Sequence, residues 1–360
     1  MSKNTERIRK TLTGPLADKP IPDSDWLSFG CTLLNLAVSG RCDGGIAKGG
    51  YIWFVGDSSA GKSFFSFQLL AEAARNPNFD KHRFIYDNAE NGALFEISRF
   101  FGRRVADRLE PPYGTRKNPL NSTTIEEFYY NIDDAKKADK PYIYILDSMD
   151  ALDAEADADK FEEHKKAAAE GKEAKGGYGM SKAKANSQNI KRVVSSLPDH
   201  GSILIVLSQT RDKVNSPFPM KTSAGGRALR FYSHVELWCS IRGTLKRTVA
   251  KKEREYGKLI AVDVQKNRIS GWEGEVRLPF LKQVGFDDLG SAIDFLVDEK
   301  HWTVSNGSID APEFKFRGKR ESLVHAIEAK NQESKLATLT QFIWRRLQDE
   351  TILKRKKRYE

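Results

Sequence analysis

The 360-residue chain is predicted to fold as an α/β protein. A mostly parallel central sheet flanked by helices is expected, with a short N-terminal helical arm and a small C-terminal α(+β) domain. Three observations carry this. Short, continuous apolar runs (YIWFVG, YIYIL, SILIVL) alternate with helical stretches, as strands covered on both faces do. The first of these strands runs through a glycine loop straight into a helix. A length of 360 with 39% hydrophobic residues suits one large domain plus one or two small ones.

Taken in order, residues 3–18 read as a short basic helix around IRKTL, and DKPIPDSD follows as an extended, proline-bearing linker. Residues 1–28 are therefore set apart as an arm. FGCTLLNLAVSG reads as a buried helix stopped at Gly40. From Gly50 come the strand YIWFVG, the loop DSSAGKS and the helix FFSFQLLAEAAR. RFIYDN is the next strand, IEEFYYNIDDAKKA a helix, and YIYILD another strand. Residues 152–176 are almost all charged residues and alanine, a solvated helix or a mobile insertion. SILIVL, HVELWCSI, LIAVDVQKN and EVRLPFL complete the strands, so the core spans 29–285. Residues 286–360 carry two helical patterns, GSAIDFLVDEKHW and SLVHAIEAK, and a basic tail, ILKRKKRYE. No internal repeat is present.

Composition narrows the function. With 59 basic and 49 acidic residues the formal net charge is +10, which suits an anionic partner such as nucleic acid. The three cysteines, Cys31, Cys42 and Cys239, are scattered and form no CxxC pair. That argues against a disulfide framework or zinc site and predicts a reducing, cytoplasmic setting. No apolar run approaches the roughly 20 residues that span a bilayer, and MSKNTERIRK lacks the apolar stretch of a signal peptide, so no membrane partner is expected.

The chemistry starts at GDSSAGKS: Gly56, Asp57, Ser58, Ser59, Ala60, Gly61, Lys62 and Ser63, with Phe64 opening the helix behind. The pattern fits G-x-x-x-x-G-K-[ST] in the strand-to-helix context it requires. The glycines let backbone N–H groups close around phosphate oxygens, and the helix start adds the positive end of a dipole. Lys62 is expected to meet the β- and γ-phosphates of ATP, and Ser63 to hold Mg²⁺. Asp147 ends the strand YIYILD, where ligands of open α/β sheets bind, and is assigned to the magnesium through water. Hydrolysis needs a carboxylate to align and deprotonate water. Asp87, near the end of RFIYDN, and Glu90, which follows that strand, are the candidates, and spacing does not separate them.

Gln209 ends the strand SILIVLS. A neutral amide both accepts and donates, so it can register a γ-phosphate and relay that to the loop behind it. That loop carries Arg211, Lys213, Lys221, Arg227 and Arg230, the pair Gly225–Gly226, and Phe218 and Phe231. Cations neutralise a nucleic-acid backbone, glycine N–H groups bond phosphate oxygens, and an aromatic ring stacks on bases. A second basic segment, residues 176–193, places Lys182, Lys184 and Lys191 at spacings expected to recur on one helix flank. The DNA loops are thus placed at about 174–191 and 209–227.

These residues resemble the RecA recombinases, including the phage UvsX-type members. GDSSAGKS stands in the Walker A position, YDNAEN resembles the family's Asp-Ala-Glu strand end, and LDS (146–148) is similar to Walker B. SQTRDKV resembles the opening of DNA loop two, GGRALRFY its closing segment, and VQKNRIS the Lys-Asn-Lys strand end. The resemblance runs from about Leu27 to Trp302. It implies a RecA-like ATPase core with Glu90 as catalytic base and Gln209 as the γ-phosphate switch. It implies DNA contacts from Arg211, Lys213, Gly225 and Gly226 in loop two and from Lys184 and Lys191 in loop one. Lys266 and Arg268 are implied to reach the ATP of a neighbouring subunit, and the N-terminal arm to dock on the next subunit, giving an open helical filament. This sequence departs from the family at Arg268, which replaces a lysine, at Leu94, which replaces an acidic residue, in the charged insertion, and in its basic tail.

The function so implied is ATP-dependent homologous recombination, with DNA-stimulated hydrolysis of ATP to ADP and phosphate. The expected partners are single-stranded DNA, homologous duplex DNA and further copies of the chain as a homo-oligomer. Single-strand-binding and mediator proteins are further expected partners, and a phage-encoded chain would work in the bacterial host cytoplasm. The alternative is a hexameric DnaB-type replicative helicase, which shares such a core. The short segment before residue 29 counts against it.

Overall fold

The structure, a computed structural model, describes residues 20–93, 95–155, 157, 181–212, 221–223, 226–353 and 355. The expectations for residues 1–19, Leu94, Lys213, Phe218, Gly225 and most of the charged insertion lie outside them.

The central sheet contains ten strands among the described residues. Its heart is β1 (Tyr51–Gly56), β2 (Arg83–Asp87), β3 (Tyr142–Leu146), β4 (Ile203–Asp212) and β5 (Val235–Val249). They lie in the order β5-β1-β4-β3-β2, all parallel, with a short edge strand, Leu109–Glu110, parallel to β2. The sequence is legible here because both faces are buried. Ile52 and Phe54 of β1 join one apolar cluster while Tyr51, Trp53 and Val55 join the other. Ile143 and Ile145 of β3 oppose Tyr142, Tyr144 and Leu146 in the same way. Alternate side chains enter opposite cores, so the whole run is apolar. Each such burial contributes about 1.5–3 kcal/mol.

Beyond β5 the sheet changes character. β6 (Lys252–Asn267) and β7 (Gly274–Leu281) continue it antiparallel, and Gly285–Phe286 closes that edge. The last three predicted core strands therefore exist, but β5 and β6 form a long hairpin whose far half stands clear of the core and is mostly exposed.

Helices α1 (Thr32–Ser39) and α2 (Lys62–Arg75) cover one face, and α3 (Ile125–Lys137) and α4 (Ser181–His200) the other. Gly40, left-handed at φ 74°, stops α1 as expected. α3 starts at a capping box, with Thr124 accepting from Glu127 N and the Glu127 side chain reaching back. The six-residue α5 (Arg227–Tyr232) leads into β5. The C-terminal region packs α6 (Asp288–Asp298), α7 (Arg320–Ala329) and α8 (Glu333–Thr351) on a small antiparallel sheet of Thr303–Ser305, Ser308–Ala311 and Phe316–Gly318. Trp302, Ile309 and Phe314 lie in its own apolar cluster.

Candidate nucleotide and nucleic-acid site

The carboxyl ends of β1, β2, β3 and β4 meet at one rim. β1 ends at Gly56, in register with Gln209 of β4 on one side and Cys239 of β5 on the other. A Cβ on Gly56 would sit 2.1 Å from the Cys239 sulfur, so the strand closes only with glycine there. The loop then turns through Ser59 at φ 61° and Gly61 at φ 85°, the left-handed region that glycine adopts freely. Ser58 and Ser59 are exposed, whereas Ala60 is buried. Lys62 is buried and donates its ammonium to the carbonyls of Gly56 and Asp57, both at 2.9 Å. The loop thus folds around the position its own lysine now fills. Phe64 turns its ring into an aromatic cluster with Phe95, Phe100, Phe101 and Phe280.

Asp147, directly after β3, accepts from the Tyr86 hydroxyl at 2.7 Å, and the Ser63 hydroxyl lies close enough to favour its charged form. Burial raises its carboxyl above the ordinary range, and the Ser63 and Tyr86 hydroxyls partly offset this. The Ser63–Asp147 pair offers a hydroxyl and a carboxylate side by side, an all-oxygen donor set that fits Mg²⁺ completed by phosphate and water. Among the described residues no group of three or more His, Cys, Asp or Glu is arranged to hold a metal alone.

The two carboxylates that spacing left equivalent are separated here. Asp87 is fully buried and accepts three hydrogen bonds: Ser122 N at 2.9 Å, Ser122 Oγ at 2.6 Å and Tyr144 Oη at 2.7 Å. It is a structural anchor, closed to water. Glu90 is exposed at the rim, its backbone N–H held by the Asp147 carbonyl at 3.0 Å. Its Oε1 accepts from the Gln209 side-chain amide at 2.8 Å and from the Ser148 hydroxyl. Gln209 N in turn donates to Asp150 Oδ2 at 2.6 Å, and the Thr210 hydroxyl donates to Asp57. Asp150, Tyr86, Ser122 and Tyr144 were not singled out from the sequence, and Ser148 entered only as the end of LDS. Ser148 and Asp150 follow Asp147 within three residues, which was the available signal.

Past Gln209 the chain continues as a ribbon. β4 extends to Asp212, and Lys221–Ser223 pairs back antiparallel with it, Thr222 opposite Arg211 and Lys221 opposite Asp212. Gly226, at φ 84°, opens α5, and a Cβ there would lie 2.9 Å from that of Ala183 in α4. The two predicted DNA segments therefore touch. Arg227 and Arg230 are both exposed, and Arg230 pairs with the buried carboxylate of Glu236 at 2.8 Å. Lys184 and Lys191, seven residues apart, share an exposed flank of α4. Lys182 does not share it. Two helical residues lie about 200° apart, and Lys182 pairs with Asp153 at 3.2 Å instead.

Lys266 and Arg268, at the end of β6, sit beneath α5. Lys266 donates to the carbonyls of Arg230 and of Phe231, the latter at 2.9 Å, and Arg268 donates to the Phe231 carbonyl at 2.8 Å. Burial and the neighbouring Arg268 guanidinium lower the Lys266 ammonium to about 8. Phe231 is exposed, with the Arg268 guanidinium 5.9 Å from its ring centre.

Residues 144–286, from β3 to the sheet edge after β7, match the model of the RecA N-terminal domain. Protein RecA of Geobacter metallireducens is 26% identical over 285 residues, covering 79% of this chain and 75% of its own length. Protein RecA of Fusobacterium nucleatum is 23% identical over 300 residues, covering 82% and 70%. Protein RecA of Clostridium tetani is 24% identical over 286 residues, covering 79% and 73%. The matched residues take in the ends of β3 and β4 at this rim, and the chain is similar to RecA proteins over about four-fifths of its length.

Proposed function

We propose that this chain is an ATP-dependent recombinase of the UvsX-like kind, which assembles as a helical filament on single-stranded DNA and exchanges strands with a homologous duplex. The observation that carries the reading is the bond from Gln209 to Glu90 at 2.8 Å. One amide closes off the carboxylate suited to activate water and also begins the basic ribbon. A γ-phosphate oxygen competes for the same Nε2 donor. As Gln209 turns to the phosphate, Glu90 Oε1 gains a lone pair for the attacking water and the ribbon reorients toward the polynucleotide. Lys62 exchanges the Gly56 and Asp57 carbonyls for phosphate oxygens. Magnesium held by Ser63 and Asp147 would neutralise charge on the β- and γ-oxygens.

From the neighbouring subunit, Lys266 and Arg268 add cations over the transferring phosphate, which makes hydrolysis depend on assembly. Arg211, Lys213, Lys221, Gly225, Gly226 and Arg227 hold the DNA backbone, with Lys184 and Lys191 from α4. Residues 1–28 act as the docking arm, 29–285 as the ATPase core and 286–360 as the C-terminal domain.

The test joins electron microscopy with strand exchange, each with and without ATP. Filaments on single-stranded DNA and ATP-dependent exchange are expected; closed rings without exchange would overturn the reading. Glu90→Gln is expected to keep ATP and DNA binding and to lower turnover by a factor of roughly 10²–10⁴. Unchanged turnover removes Glu90 from the mechanism.

A further inference from the structure

We propose that the groove between α6, α8 and β7 is a docking site for the chain's own basic segment, residues 352–360. The groove encloses about 990 Å³. Its floor is apolar and aromatic: the rings of Trp272 and Phe295 lie 5.3 and 5.7 Å from that of Trp344. Its rim is acidic. Asp298, the last residue of α6, and Glu299, its C-cap, are both exposed and lack an ion-pair partner among the described residues. A helix C-terminus is already the negative end of the dipole, so two carboxylates there are unfavourable to the helix and attract further cations beyond the adjacent Lys300. The last turn of α6 supplies none.

The cation source lies next to the groove. Leu347 and Thr351 of α8 line it, and the chain leaves α8 at Ile352 in extended conformation. Ile352 and Leu353 are 65% and 77% exposed, an apolar pair without cover at the groove's lip. Lys354, Arg355, Lys356, Lys357 and Arg358 follow without interruption, then Tyr359. Nine extended residues reach about 30 Å, and tethering holds them at millimolar effective concentration. Apolar anchors then cations, opposite an apolar floor with an acidic rim, give complementarity in the right order. A polyanion is disfavoured on this face by the same rim. A tail seated here has its cations withdrawn from phosphate backbones, so groove and polynucleotide compete for one segment.

The test uses the full-length chain. Zero-length carbodiimide coupling followed by mass spectrometry should join Lys354, Lys356 or Lys357 to Asp298 or Glu299. In a mixture of ¹⁵N-labelled and unlabelled chains those links should stay within one isotope. Trypsin should cleave after residues 354–358 roughly tenfold faster in Asp298→Lys/Glu299→Lys and in Ile352→Ser/Leu353→Ser than in the parent, a shift of about 1.4 kcal/mol. Both pairs are exposed, and lysine suits a helix C-terminus, so the melting temperature should hold. Equal cleavage in all three proteins without these links overturns the proposal. Mixed-isotope links overturn the assignment to the chain's own tail and give the groove to a second copy.

Discussion

At the scale of single residues, environment divides two carboxylates that composition makes alike. Asp87 lies in the core under three hydrogen bonds, and Glu90, three residues on, stands at the rim. Removing Asp87 strands the Ser122 N–H and two hydroxyls in a dry interior. Asp87→Ala is therefore expected to lower unfolding stability by about 2–4 kcal/mol, while Glu90→Gln stays within about 0.5 kcal/mol. Urea titrations of the two proteins check this; an unchanged midpoint for Asp87→Ala would remove its anchoring role. The sequence located the pair but not the division, because Ser122 and Tyr144, which seal Asp87, lie 35 and 57 residues away in the chain.

At the scale of elements, helix ends tie the core to the C-terminal region. Cys31 gives α1 no side-chain cap. Asp288 of α6 supplies one, accepting from Thr32 N at 2.5 Å and Thr32 Oγ1 at 2.9 Å. Burial, reinforced by the neighbouring Asp287, raises the Asp288 carboxyl from 3.8 to about 6. Asp287 is itself paired with Arg320, and Cys31 and Glu72 face the same spot. The folded protein thus keeps this proton to a higher pH than the unfolded chain. The contribution is fully present below pH ~4 and declines as pH rises toward ~6, by about 3 kcal/mol in all. The stability of the parent relative to Asp288→Asn should fall across that interval; a constant difference would contradict the assignment. Much at this scale was legible. Continuous apolar runs marked the parallel strands, and Gly40 and the phosphate loop marked helix boundaries. Strand direction past β5 was not, since an apolar run reads alike in either sense. A cap joining residues 256 apart leaves no local trace.

At the scale of the whole molecule, parallel strands bring the phosphate loop, Asp147, Glu90 and Gln209 to one edge, and the cationic ribbon leaves from the same edge. The shared rim, not the net charge of +10 alone, localises the expected polyanion contact. Substituting both Arg211 and Lys213 with Ala should weaken binding to single-stranded DNA and reduce the slope of log K against log salt by about 1.4, two released counterions at about 0.7 each. An unaltered slope in fluorescence titrations would move the DNA site elsewhere.

β4 is clamped on both flanks, Gln209 against Gly56 and Val206 against Leu146, in uninterrupted parallel register. A shift by one residue would turn its entire side-chain set inside out, so the strand cannot act as a piston. A signal from the proposed triphosphate site would then travel as torque, through side-chain rotation at position 209 and twist of the two-stranded flap that follows, with the sheet itself as the stationary frame.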